Sequence, residues 1–174
     1  SASTLMYAQE SQRDIRRADR KAQRDAERAR LKAEEQAADQ VAYQQAVQAI
    51  KDKQFVLEAD QVIFKRGQTA FVSSNTNFVM LNGQRATVQV AFNTPYPGPN
   101  GIGGVTVTTD KRGNVNCNFS VQGIGISAQV FITLTNGGNN ATVTINPNFN
   151  SNTLTLSGNL VPLNQSDVFK GRSW

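Results

Sequence analysis

The chain has 174 residues, room for one domain with a substantial core plus an appendage, and its 18 Lys and Arg against 13 Asp and Glu leave a net charge of +5. It holds no histidine and one cysteine, Cys117, which excludes Ser/His/Asp and Cys/His nucleophiles, histidine-built zinc sites, cysteine cages and an internal disulfide. No window approaches the roughly 18 apolar residues that a spanning helix needs.

The basic excess is not gathered in one place. Residues 1–53 carry 11 basic and 9 acidic side chains, and residues 54–174 carry 7 and 4. The N-terminal charges alternate in sign, so their field largely cancels beyond a Debye length of about 10 Å. This is the pattern of a solvated helix face and not of a nucleic-acid surface. The chain opens on Ser1-Ala2-Ser3 with no apolar signal core, as expected of a mature form whose export signal has been removed.

The composition changes near residue 53. Before it there is no Gly or Pro, and Ala, Arg, Lys, Gln and Glu dominate. These are the strongest helix formers. A helix over 4–53 is predicted, with Ser3 or Thr4 as its cap. About 45 helical residues would run roughly 65 Å. Ile15, Ala18, Ala22, Ala26, Ala29, Ala33 and Ala37 recur at spacings of 3, 4, 4, 3, 4 and 4, an eleven-residue period that leaves a nearly straight alanine stripe. Such a stripe buries little area, so self-association through it is expected to be weak. Tyr43, Ala46, Val47 and Ile50 form an i, i+3, i+4, i+7 face, and this last stretch is expected to pack on the following domain.

From residue 54 the period becomes two. Runs near 55–59, 61–66, 69–72 and 77–81 come first. Then Ala86, Val88, Val90 and Phe92 alternate with polar residues, as do Val115, Cys117, Phe119 and Val121. Ile126, Ala128, Val130, Ile132 and Leu134 continue the pattern, followed by Ala141, Val143 and Ile145, then Leu154 and Leu156. Turn signals separate the runs, among them Asn82-Gly83, Asp110 to Gly113 and Asn136 to Asn140. This predicts a mainly β domain of about eight or nine antiparallel strands over 54–174. Such a sheet must hide its edges, so it is read as an up-and-down, lipocalin-like barrel or a strongly curled sheet, with a β-sandwich as the alternative.

Four carboxylates remain in the β region: Glu58, Asp60, Asp110 and Asp167. Glu58 and Asp60, at i and i+2, share a strand face roughly 7 Å apart, a spacing open to a glycosidase-type pair, to a weak calcium site or to two solvated charges on an edge strand. Cys117, in phase with Phe119 and Val121, reads as a buried small hydrophobe. No cofactor or metal is called for. The most distinctive loop spans Asn93 to Gly104, and its Pro95, Tyr96, Pro97, Pro99 and Asn100 make a stiff candidate recognition element. The tail from Val168 ends in the single Trp, Trp174, and is expected to dock on the domain or on a partner.

Several stretches resemble a family of exported proteins from Bacteroidetes, the domain of unknown function 4251. They include Phe55-Val56-Leu57-Glu58-Ala59, Asn75-Thr76-Asn77-Phe78-Val79, Gly98-Pro99-Asn100-Gly101-Ile102-Gly103-Gly104, Asn146-Pro147-Asn148-Phe149-Asn150-Ser151 and Val168-Phe169-Lys170-Gly171, in order over 55–171. The resemblance implies a periplasmic, outer-membrane-associated or secreted protein with a cleaved signal and no catalytic residues to carry over. The helix is longer and more charged than the family suggests, and the chain between Gly104 and Asp110 looks short, as though a strand were reduced there. The functions expected are a non-catalytic envelope module that binds a protein partner, a small-ligand carrier with a cavity in the barrel, and last a carboxylate-dependent hydrolase.

Overall fold

The computed structural model describes residues 1–91, 98–149 and 152–168. Helix α1 runs from Ala2 to Lys51. Ser1, and not Ser3 or Thr4, opens it: its Oγ accepts from the Thr4 N–H at 3.5 Å and its carbonyl from the Leu5 N–H at 3.3 Å. Two compact units divide the chain, Ser1–Ala38 and Asp39–Trp174. In the first unit every side chain is exposed, the alanine stripe included. Arg30 donates to Glu27 and, at 2.8 Å, to Glu34, and exposed pairs of this kind add only about 0.3–0.5 kcal/mol each.

The second unit takes in the last turns of α1 and nine strands: β1 (Gln54–Ile63), β2 (Thr69–Phe71), β3 (Asn77–Asn82), β4 (Arg85–Val90), β5 (Asn100–Thr109), β6 (Val115–Gly123), β7 (Ile126–Leu134), β8 (Asn140–Pro147) and β9 (Leu154–Pro162). Each pairs antiparallel with its neighbour in the order β2-β1-β3-β4-β5-β6-β7-β8-β9. β1 also pairs with β9, Phe55 opposite Pro162 through Ile63 opposite Thr155. That pairing closes an eight-stranded barrel, with β2 added along the second half of β1, and decides against the sandwich. Closure removes the open edges that a nine-stranded meander would otherwise expose. Phe55, Leu57, Val79, Leu81, Val88, Phe119, Ile132, Val143, Leu156 and Leu160 point inward and are buried.

Two local features depart from the alternation. Expectation divided β1 into 55–59 and 61–66, whereas one strand runs through. Its ladder with β9 skips Asp60, between Ala59 opposite Gly158 and Gln61 opposite Ser157. Asp60 is thus the extra residue of a β-bulge. Gly158 faces this bulge, and a Cβ there would run into the Glu58 carbonyl, so the close approach requires glycine. The chain between Gly104 and Asp110, which looked short, is extended. It belongs to β5, whose register against β6 shifts between Gly103 and Thr106.

A smaller apolar cluster lies on the outside of the sheet, where Val56, Phe78 and Met80 are covered by Val168, with Val161 and Leu163 beside them. The cover is a 3-10 turn at Leu163–Gln165 and the residues after it. The tail therefore docks on the domain as far as Val168. Phe169 to Trp174, and with them the candidate Trp174, lie outside the described residues.

Candidate functional site

Strands that alternate in direction place the start of β1 and the β3–β4, β5–β6 and β7–β8 turns at one end of the barrel. The β1–β2, β4–β5, β6–β7 and β8–β9 connections lie at the other. The two ends are built differently.

At the first end the helical face expected to pack does so. Ala46, Ala49 and Ile50 are buried in the main core, with Tyr43 and Val47 packed against it. The Tyr43 hydroxyl donates to the Gly113 carbonyl at 2.6 Å, tying α1 to the β5–β6 turn. Lys53, at a φ of 55°, turns the chain from helix into β1, and its carbonyl accepts from the Gly83 N–H at 2.8 Å. The Asp110 carboxylate organises the β5–β6 turn, accepting from the backbone N–H of Arg112 at 2.8 Å and of Asn114 at 3.0 Å, and from Asn114 Nδ2 at 3.1 Å. The Asn114 N–H above all holds the Asp110 pKa below the usual carboxylate range. Asn136 then staples the β7–β8 turn on, its Nδ2 donating to the Arg112 carbonyl at 2.8 Å. Every connection here has a hydrogen bond to its neighbour. This end is plugged.

At the second end the barrel opens into a cleft of about 610 Å³. Among the described residues Val88, Val90, Ile126, Ala128, Ile145 and Leu154 converge on it from β4, β7, β8 and β9, in a wall only slightly more apolar than polar. Gln122, Ser127 and Asn152 add a few polar groups, and Phe149 stands at the lip. Medium and large inward residues fill the interior beside the plug, and the small Ala128 is among those that line the space at the open end. A cleft of this size, with apolar side chains converging from four strands beside polar groups, has room for a small molecule that is part apolar and part polar. At its rim Asn77 is buried and satisfied: its Oδ1 accepts from the Ala91 N–H at 3.1 Å, and its Nδ2 donates to the Ser73 carbonyl at 3.0 Å.

The sequence model of DUF4251, described as a domain of unknown function, matches residues 37–160. The chain belongs to the DUF4251 family. Among solved structures, the crystal structure of a DUF4251 family protein from Bacteroides eggerthii is 68% identical and superposes with a TM-score of 0.73, covering 80% of this chain and 99% of that one. Curated proteins give no match. No helix among the described residues is long and apolar enough to cross a membrane.

Within this DUF4251 barrel the residues singled out from the sequence fall apart into different roles. Pro95, Tyr96 and Pro97 lie outside the described residues. Pro99 closes the β4–β5 connection, and Asn100 opens β5 opposite Ala86, so the stretch from Asn100 to Gly104 is strand and not loop. The exposed Pro99 carbonyl accepts from Arg85 Nη2 at 3.1 Å. Glu58 and Asp60 form no simple pair on one face: the bulge interrupts the alternation, and the Glu58 carboxylate accepts from the Ser166 hydroxyl at 2.6 Å. That bond ties the covering turn to β1 and gives Glu58 a structural task. Cys117 is buried, and burial pushes its thiol up to about 11, so it stays protonated and unreactive at neutral pH. The turn asparagines act as locks and not as ligands in waiting: Asn148 Nδ2 donates to Ser127 Oγ at 2.8 Å, and Asn146 Oδ1 accepts from Thr153 Oγ1 at 2.6 Å. Sequence patterning missed the cleft wall, whose members were visible only as inward residues of separate strands.

Proposed function

We propose that the protein is a non-catalytic binding module that holds a small apolar or amphiphilic molecule in the cleft at the open end of its barrel. The observation that carries this reading is the asymmetry between the ends. One is sealed by Tyr43, Ala46, Ala49 and Ile50, and the other opens a cleft of about 610 Å³ walled by Val88, Val90, Ile126, Ala128, Ile145 and Leu154. The polar groups at Gln122, Ser127 and Asn152 suit a molecule with one polar end. In this reading the barrel works outside the cytoplasm, in the periplasm, at the outer membrane or secreted, as the resemblance to exported proteins implies. The exposed stripe of Ala18, Ala22, Ala26, Ala29 and Ala33 gives the N-terminal unit a surface for weak self-association or for a protein partner.

Thermal unfolding in the presence of apolar probes tests the reading. The panel comprises anilinonaphthalene sulfonate, a medium-chain and a long-chain fatty acid, and a sterol. A ligand at a hundred times its Kd stabilises by about 2.7 kcal/mol, which for a chain of this size raises Tm by roughly 8 °C. A flat response across the panel rejects the carrier reading.

A further inference from the structure

The rim of the open end carries a second feature that ligand binding does not need. Phe64 is 51% exposed, Ile124 76% and Phe149 89%, and Phe71 on β2 is 86% exposed. Phe64, Ile124 and Phe149 occupy the β1–β2, β6–β7 and β8–β9 connections. Those three connections follow one another around the barrel along the arc β6-β7-β8-β9-β1. Beside Phe64 stand Lys65 and Arg66, both exposed. Among the described residues of this end, 64–76, 98–99, 123–125, 148–149 and 152–153, there is no Asp or Glu. The nearest carboxylate on these strands, Asp60, sits back along β1 at the bulge.

We propose that this rim docks the barrel, open end first, onto a lipid surface bearing anionic headgroups. Large apolar side chains scattered singly over a surface mean nothing, but several gathered on one rim mark an interaction site. The form of this rim fits lipid. Ile124 stands between Gly123 and Gly125, and Phe149 follows Asn148, so each apolar knob projects from a small or polar base. Such knobs insert below the headgroups while their bases remain at headgroup depth, and they need no matching shape in a partner. Phe and Ile side chains gain by burial at the boundary between headgroups and acyl chains. The two basic residues, with no acid among the rim segments, add attraction to an anionic surface. A protein partner would need a continuous apolar floor, and here the middle of the ring is the mouth of the cleft. The proposal stands whether or not the cleft takes a ligand. If it does, docking sets the mouth against the bilayer.

Sedimentation of the full chain with vesicles tests it. The vesicles are phosphatidylglycerol with phosphatidylethanolamine, against pure phosphatidylcholine. The wild type should pellet with the anionic vesicles. Ile124→Ser with Phe149→Ser should weaken this at least about tenfold, and Lys65→Gln with Arg66→Gln about thirtyfold, both with unchanged Tm because the positions are exposed. Val90→Trp, which fills the cleft, should pellet as the wild type does even if it loses every apolar probe, so failure of the carrier reading and failure of docking are told apart. Docking is overturned if the wild type ignores anionic vesicles, or if both rim variants pellet equally well, which would assign binding to the helix. It is also overturned if the wild type forms a dimer in solution that the apolar rim variant abolishes.

Discussion

The two ends of the barrel use the same strands and the same inward alternation, yet one is finished and the other is left open. At the plugged end each connection is held by something local: Tyr43 on Gly113, Lys53 on Gly83, Asp110 on its own turn and Asn136 across to the next. At the cleft end the tips carry apolar side chains into solvent, and Asn77, Asn146 and Asn148 are among the residues that fasten the chain behind them. Stability is thus invested on one side and surface chemistry on the other. This is the division expected when a rigid scaffold presents a site on its loops.

Four substitutions probe that division. Ile50→Ala strikes the centre of the plug, where the side chain is fully buried. It should cost about 2–5 kcal/mol, a fall in Tm of roughly 10 °C, readable by circular dichroism. If the change is under about 1 kcal/mol, the helix does not seal the barrel. Tyr43→Phe removes one partly buried hydrogen bond and should cost about 1 kcal/mol, measured by urea midpoint at constant slope. Val90→Trp, at the other end, should leave stability within about 1 kcal/mol of the wild type, because the added ring enters open space. The same variant should abolish any fluorescence enhancement of anilinonaphthalene sulfonate. A large destabilisation there would mean the cleft is as tightly built as the plug.

The smallest effect concerns Asp110. Its folded pKa lies below the ordinary 3.8, chiefly through the Asn114 N–H, so the charged form favours the folded state. That contribution is present above the unfolded value and disappears as pH falls through the folded one. Asp110→Asn should therefore lower Tm slightly at pH 7 and not at pH about 2. A difference of equal size at both pH values would assign the effect to hydrogen-bond geometry and not to charge.

How much of this was readable beforehand depended on the range of the interactions concerned. Strands β6 and β7 alternate without interruption from Val115 and from Ile126, and each paired where the period of two placed it. The packing face of Tyr43, Ala46, Val47 and Ile50 was equally plain, since a helix rich in Ala and charge gains a clustered apolar face only at this end. The bulge at Asp60 was hidden because its signal is Gly158, about a hundred residues away and opposite it only once β1 meets β9. Strand β5 was hidden because Asn100-Gly101-Ile102-Gly103-Gly104 has turn composition, and the neighbouring ladder, not local propensity, makes it extended. The cleft and its rim were hidden for a third reason. Residue type says which way a side chain points along a strand, but the space between strands depends on how all of them diverge at their ends.

The joining of β1 to β9 also governs how the molecule comes into being. The seam unites nearly the first and last ordered stretches of the strand-bearing unit, so no emerging N-terminal portion can complete the ring. Until β9 arrives, β1 and β8 each present a row of unsatisfied amides, the surface on which growing aggregates template. A chain cut short before Leu154 should therefore polymerise and not merely lose stability.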